Sequence, residues 1–223
     1  MDYKLDDSLK TLGIDTIVVA TVHGLDTLAA LPEQLETELQ QIEAAVLKQS
    51  LESLEDNQVV QGYYEMIQKI KRSKKKYPPT VEALIKNVQR RESLPRINSV
   101  VDLYNLEALT SYFSIGAHDL RKITFPIEFT VSGREDVFHP IMSSEKKVMP
   151  FDYLYRDQNG VLAYLDCRDS EDYKLDEQTT DAIFVIQGNE YTSTESRVEA
   201  LERFIKKLQV MTPEITYQIE IIT

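Results

Sequence analysis

The run ESLPRINSVVDLYNLEALTSYFSIGAHDLRKI, Glu92 to Ile123, decides how the rest of this chain is read. Pro95 closes what precedes it, Asn98 offers the side-chain oxygen of a helix N-cap, and Asp102 lies near the first turn, where negative charge suits the helix dipole. The spacing predicts a helix: Val101, Ala108 and Tyr112 share one face with Tyr104 beside them, and Asp102, Asn105 and Leu109 form an adjoining face. Ser114-Ile115-Gly116 breaks that helix, and Ala117-His118-Asp119-Leu120 starts a new element. Asp102 and Asn105 point the same way, toward whatever covers that face, and Gly116 permits close backbone approach. Two readings stand: these residues cap the helix and tie down the next loop, or they line a site.

Outward from this run, the chain before it reads as a β-α unit followed by helices. Met1 to Gly13 suggests a short helix with Leu5, Leu9 and Leu12 on one side. Ile14 to Val22 is a β-branched run closed by His23-Gly24, the pattern of a buried strand and turn. Pro32 opens an amphipathic helix carrying Leu35, Leu39, Ile42 and Val46, expected to reach about Leu54. Val60 to Lys76 is expected as another helix with a cationic last turn, and Pro78-Pro79 and Thr80 end it and begin the next.

After Ile123 the pattern turns to strands. Thr124 to Val131 and Asp136 to Met142 suggest a hairpin through Ser132-Gly133. Tyr153 to Tyr155 and Val161 to Leu165 flank Asp157-Gln158-Asn159-Gly160, a stronger hairpin signal because Asn-Gly accepts positive φ readily. Ala182 to Gln187 reads as an apolar strand, Val198 to Leu208 as a helix capped by Ser193 or Thr194, and Ile215 to Ile222 as a closing strand.

The chain has 223 residues, a formal charge of −12 and one cysteine, Cys167. One cysteine excludes an internal disulfide and fits a reducing compartment. The acidic start MDYKLDDSLK is unlike a signal peptide, and no apolar run is long enough to span a bilayer, so a cytoplasmic protein with no membrane partner is expected. The charge argues against a general nucleic-acid or DNA binder. It is unevenly spread, however: residues 62–96 carry ten basic and three acidic side chains. Lys69, Lys71, Arg72, Lys74, Lys75, Lys76, Arg90 and Arg91 form this basic segment, which reads either as a solvated helix end or as a patch holding an RNA backbone.

Familiar catalytic spacings are missing. The chain has no phosphate-cradling glycine loop, no Gly-x-Ser-x-Gly and no paired His or Cys at metal-ligand spacing, so no cofactor or metal is expected. His118 and Asp119 suggest a base and its orienter, but adjacent side chains diverge, which favours a surface histidine. Arg168-Asp169-Ser170, just past a strand end, could grip the carboxylate and amine of an amino acid, or could be a loop whose charges satisfy one another.

The segments NSVVDLYN and GAHDLRKI, Asn98–Asn105 and Gly116–Ile123, resemble the B3/B4 domain of the phenylalanyl-tRNA synthetase beta subunit, and still more the free-standing bacterial proteins built around it. The likeness runs from about Arg91 to about Gly188. It implies an α+β fold of mixed β-sheets layered with helices, with residues 91–223 as the B3/B4-like domain and 1–90 as an attachment. It also implies tRNA or aminoacyl-tRNA as partner and removal of a mischarged amino acid by ester hydrolysis, without aminoacylation. The family's pocket has an asparagine, a histidine eleven residues later, and a glutamate on a later strand. Here Asn105 matches the asparagine, Gly116 stands at the histidine's position, and Val185 or Ile186 at the glutamate's. The expected site therefore comprises Asp102, Asn105, Gly116, His118, Asp119, Arg168, Asp169 and Ser170, with no catalytic residue assigned. A non-catalytic module binding an amino-acid-like molecule is the alternative.

Overall fold

In a computed structural model that describes all of residues 1–223, the chain folds as α+β, with two mixed or antiparallel sheets face to face and helices covering one of them. The strands are β1 Tyr3–Leu5, β2 Ile17–His23, β3 Gly116–Asp119, β4 Ile127–Val131, β5 Val137–Phe138, β6 Lys146–Lys147, β7 Tyr153–Arg156, β8 Val161–Tyr164, β9 Arg168–Asp169, β10 Asp181–Ile186 and β11 Thr216–Ile222. The helices are α1 Glu33–Lys48, α2 Gln58–Lys69, α3 Thr80–Arg91, α4 Ser99–Ser111 and α5 Thr194–Met211.

One sheet has the order β11-β2-β10-β3, the other β1-β4-β7-β8-β9. The middle strands of the first are buried on both faces, which is why they read as unbroken apolar runs. Alternation sorts them: Val18, Ala20, Val22, Ala182, Phe184 and Ile186 pack against the helices, while Ile17, Val19, Ile183 and Val185 pack against the second sheet. Phe184 meets Phe204 of α5 at a ring separation of 4.6 Å. Helix α2 joins the two cores, placing Val60 and Tyr64 in one and Tyr63, Met66 and Ile67 in the other. α4 is buried nearly all round, packed among α1, α3 and α5, so it shows no polar stripe.

Local signals account for several elements. Asn98 Oδ1 accepts from Val101 N at 3.0 Å and caps α4, Ser193 caps α5, and the Asn-Gly turn joins β7 to β8. Elsewhere tertiary contacts override the pattern. Residues 3–5 form β1, parallel to β4, and only Asp7–Leu12 coils, as a 3₁₀ turn. α1 ends at Lys48, before a separate 3₁₀ turn over Leu51–Asp56. α2 ends at Lys69 rather than Lys76: Lys71 has φ 58°, and Arg72 turns inward to the fully buried Asp152, Nε to Oδ1 2.6 Å. β4 pairs with β1 and β7 rather than with β5, while β5 pairs with β6 in a short ribbon over the outer face of the larger sheet.

The expected boundary at 90/91 crosses both sheets. β2 lies between β10 and β11, and β1 pairs with β4. A fragment of residues 91–223 lacks the strand that joins β10 to β11, and we expect it to show no cooperative thermal transition by circular dichroism. A sharp transition near that of the full chain would mean that 91–223 is an independent domain.

Candidate functional site

The sheets meet along their edges, β1 beside β11 on one side and β3 beside β9 on the other. The second seam gathers polar groups. In β3, Gly116 and His118 lie opposite Val185 and Ile183, so both face the second sheet, whereas Ala117 faces the helices. Across the seam, register aligns Tyr155 of β7, Ala163 of β8 and Asp169 of β9 on one face. Ala163 between them is small, and the backbones of the tyrosine and the carboxylate are two strand spacings apart, about 9–10 Å.

His118 is fully buried, not on the surface, and its Nε2 lies 2.6 Å from the Tyr155 hydroxyl. Burial pushes its pKa down to about 3, so the imidazole is neutral, and Nδ1 has no partner. Burial also raises the Tyr155 phenol. Asp169 Oδ2 accepts from Ala117 N at 3.1 Å, and Oδ1 makes no hydrogen bond. Desolvation pushes this carboxyl up to about 7, against the Ala117 N–H, which favours the charged form. Half-buried Tyr104 of α4 flanks the same seam, its phenol raised by burial and by the Asp169 charge. A Cβ on Gly116 would overlap the Tyr155 hydroxyl and lie 3.2 Å from His118 Nε2 and 3.4 Å from Asp169 Oδ1. Only glycine fits there.

Apart from Asn105, which follows the seam residue Tyr104 on α4, the other expected site residues are dispersed. Asp102 accepts from Ile97 N at 3.2 Å and pairs with Arg96, holding the start of α4. Asn105, 8% exposed, has an amide with no hydrogen bond inside the protein. Asp119 turns away from His118 and is held by Arg121 and Thr179, with Oδ2 to Thr179 Oγ1 2.7 Å. Ser170 is buried, its Oγ accepting from Asp172 N. Arg168 and Asp169 do not converge on one ligand, because successive strand residues face opposite ways. Arg168 is exposed on the outer face with Tyr164, its register partner. In the basic segment, Lys69, Arg72 and Lys74 pair with Glu190, Asp152 and Glu55, which removes much of its free charge. Arg90 bonds Asn87, while Lys71, Lys75, Lys76 and Arg91 make no ion pair.

Sequence reasoning missed Tyr104, Tyr155 and Asp166. Tyr153 and Tyr155 share a strand face, and two buried phenols on one face call for polar partners, a signal that was available. Asp166 lies at a hub: its carbonyl accepts from Thr80 N, Thr80 Oγ1 and Ser114 Oγ, and its Oδ1 from Gln187 Nε2 at 2.9 Å. Nearby Asp166 Oδ2, Gln187 Oε1 and Tyr153 Oη have no partner. No group of three or more His, Cys, Asp or Glu is arranged to hold a metal, and no helix is long and apolar enough to cross a membrane.

Residues 62–218 match the family model described as the B3/4 domain, and the chain belongs to that family. It is similar in fold to an N-terminal fragment of the phenylalanyl-tRNA synthetase beta subunit from Pyrococcus horikoshii, with TM-score 0.50 and 16% identity. The match covers 98% of this chain and 50% of the fragment, so the chain spans about half its length. No curated protein matches. Val185, which with Ile186 is one of the two candidates for the family glutamate's position in the resemblance above, is the cross-strand neighbour of Gly116. The polar groups nearest Gly116 are Tyr155 and Asp169 of the second sheet and His118 of β3 itself.

Two outcomes follow. Gly116→Ala should lower stability by about 1–3 kcal/mol, the range for overpacking, and Tyr155→Phe should partly rescue it by removing the clashing hydroxyl. A double-mutant cycle by denaturant unfolding checks this, and additive losses would contradict the close approach. For Asp166, burial raises the carboxyl to about 7, so the folded state binds its proton more tightly than the unfolded state. That contribution is full below the unfolded pKa and is lost as pH rises through about 7. Asp166→Asn should therefore stabilise the protein at pH 8, by roughly 1–3 kcal/mol, and the gain should vanish near pH 4. Melting temperatures across pH report it.

Proposed function

We propose that the β3/β9 seam binds an aminoacyl ester and hydrolyses it, so that the protein acts on aminoacyl-tRNA in trans without charging tRNA. The observation that carries this reading is Asp169: a desolvated carboxyl near neutrality, fixed through Oδ2 by Ala117 N–H, with Oδ1 free beside Gly116. A base with its pKa near the working pH takes a proton efficiently from an attacking water. In the proposed reaction, water attacks the ester carbonyl beside the unpaired Asp169 Oδ1, which accepts its proton. The tetrahedral intermediate collapses with departure of the ribose oxygen, which regains that proton.

The remaining groups orient the substrate. The unengaged Asn105 amide supplies donors and an acceptor for the aminoacyl group. The neutral His118 fixes the Tyr155 hydroxyl at the floor, and Tyr104 walls the entrance. By the resemblance, Gly116 and either Val185 or Ile186 stand where the family has a polar pair, so in this reading cleavage relies on the second sheet's carboxylate. Family membership supports the substrate class; the residue roles rest on the seam's geometry alone.

A non-catalytic module for an amino-acid-like molecule would use the same seam. Deacylation of a panel of aminoacyl-tRNAs separates the two. Hydrolysis should rise with pH through about 7. Asp169→Asn should cost about 10²-fold or more in kcat, removing that pH dependence, while Asn105→Ala should act mainly on KM. Binding of a free amino acid without ester cleavage by any charged tRNA would favour the module, and an unchanged rate in Asp169→Asn would remove Asp169 as base.

A further inference from the structure

A second cleft lies on the opposite face of the β1-β4-β7-β8-β9 sheet. Its cavity, about 100 Å³, is walled by Tyr77, Phe138 and Tyr164, and Lys76, Lys146 and Arg168 line it with them. These cations come from three separate segments: the turn before α3, β6 and β9. All three are exposed, whereas Phe138 and Tyr164 are buried, so the cleft has an aromatic floor, with Tyr77 edge-on to Tyr164, and a cationic rim. No acidic residue lines it, in a chain with 37 acidic side chains.

The rim cations are uncommitted. Neighbouring Lys147 pairs with Glu135, and Lys69, Arg72 and Lys74 are likewise paired, but Lys76, Lys146 and Arg168 make no ion pair. Lys76 Nζ instead lies 5.4 Å from the Tyr77 ring centroid. Three converging like charges without counter-charge repel one another, and an anion at the rim relieves that repulsion. The half-buried Tyr77, with the edge of Tyr164 beneath it, accepts a flat ring by stacking or edge contact. Arg168 offers paired donors suited to a phosphate, while the lysines act as point charges.

We propose that this cleft is a nucleotide-binding site, holding a phosphate at the Lys76–Lys146–Arg168 rim and the base edge against Tyr77 and Tyr164. The same chemistry is offered by a free mononucleotide and by a nucleotide within an RNA strand. It faces away from Asp169, because Arg168 and Asp169 point to opposite sides of β9. The inference does not rest on the ester-cleavage reading.

The test is calorimetric titration of the full chain with adenosine 5′-monophosphate, adenosine, inorganic phosphate, phenyl phosphate and a short single-stranded RNA. The monophosphate should bind about ten-fold or more tighter than adenosine, phosphate or phenyl phosphate, since phosphate and base both contribute. Arg168→Gln and Lys146→Gln should each weaken it about five-fold or more, while Lys206→Gln, at an exposed lysine elsewhere, should not. If the source is a strand, RNA should bind tighter than the monophosphate, and each substitution should reduce the salt slope by about one. Equal affinity with a flat salt dependence would identify a free nucleotide. Binding of the monophosphate that neither substitution alters, no binding at low salt, or phenyl phosphate binding as tightly as the monophosphate would overturn the proposal.

Discussion

The pairing of β2 with β10 is the constraint on which this structure depends. Six residues of each run side by side, Ile17 excepted, from Val18↔Ile186 to His23↔Asp181, and both faces of the pair are covered. Helices press on one face and the second sheet on the other. Because burial is two-sided, a one-residue slip exchanges the two apolar sets without exposing either, so polarity alone cannot fix the register. Size and polar end-points fix it instead. Phe184 must meet Phe204, and Asp181 meets His23 at 2.7 Å where the strands emerge. With β10 placed, β3 is placed, and Gly116 and His118 are delivered to the seam.

The seam shows how strand alternation gathers polar side chains from two sheets. A backbone strand fixes direction, not chemistry: whatever stands at positions 116, 118 and 185 faces the second sheet. Gly116 and Val185 leave that side small and apolar, and Asp169 Oδ1 lies across from Gly116. Removing the carboxylate from water while giving it one backbone donor holds it near neutrality instead of near 4.

Local signals in the sequence carried much of the fold and little of the site. The cap at Asn98, the Asn-Gly turn and the apolar runs of β2 and β10 are decided by neighbours in the chain, so they were legible. β4 was misassigned to a hairpin with β5 because its true partners, β1 and β7, lie far off in sequence; only the Glu128–Arg156–Asp136 charge network hints at them. The lysine run after α2 looked helical because charge pattern cannot reveal that Arg72 would turn in to Asp152. His118 was read as exposed since nothing local tells of a tyrosine hydroxyl 37 residues on. Arg168 and Asp169 looked like one charged grip; strand alternation separates them onto two faces.

The ionisation of Asp169 carries the functional account. Carbon-detected NMR titration of its side-chain carboxyl, assigned by comparison with Asp169→Asn and with Asp166→Asn to remove the other raised carboxyl, measures it directly in the full chain. The account expects a midpoint near 7 for Asp169. A midpoint near 4, the ordinary value for an aspartate in water, would contradict it.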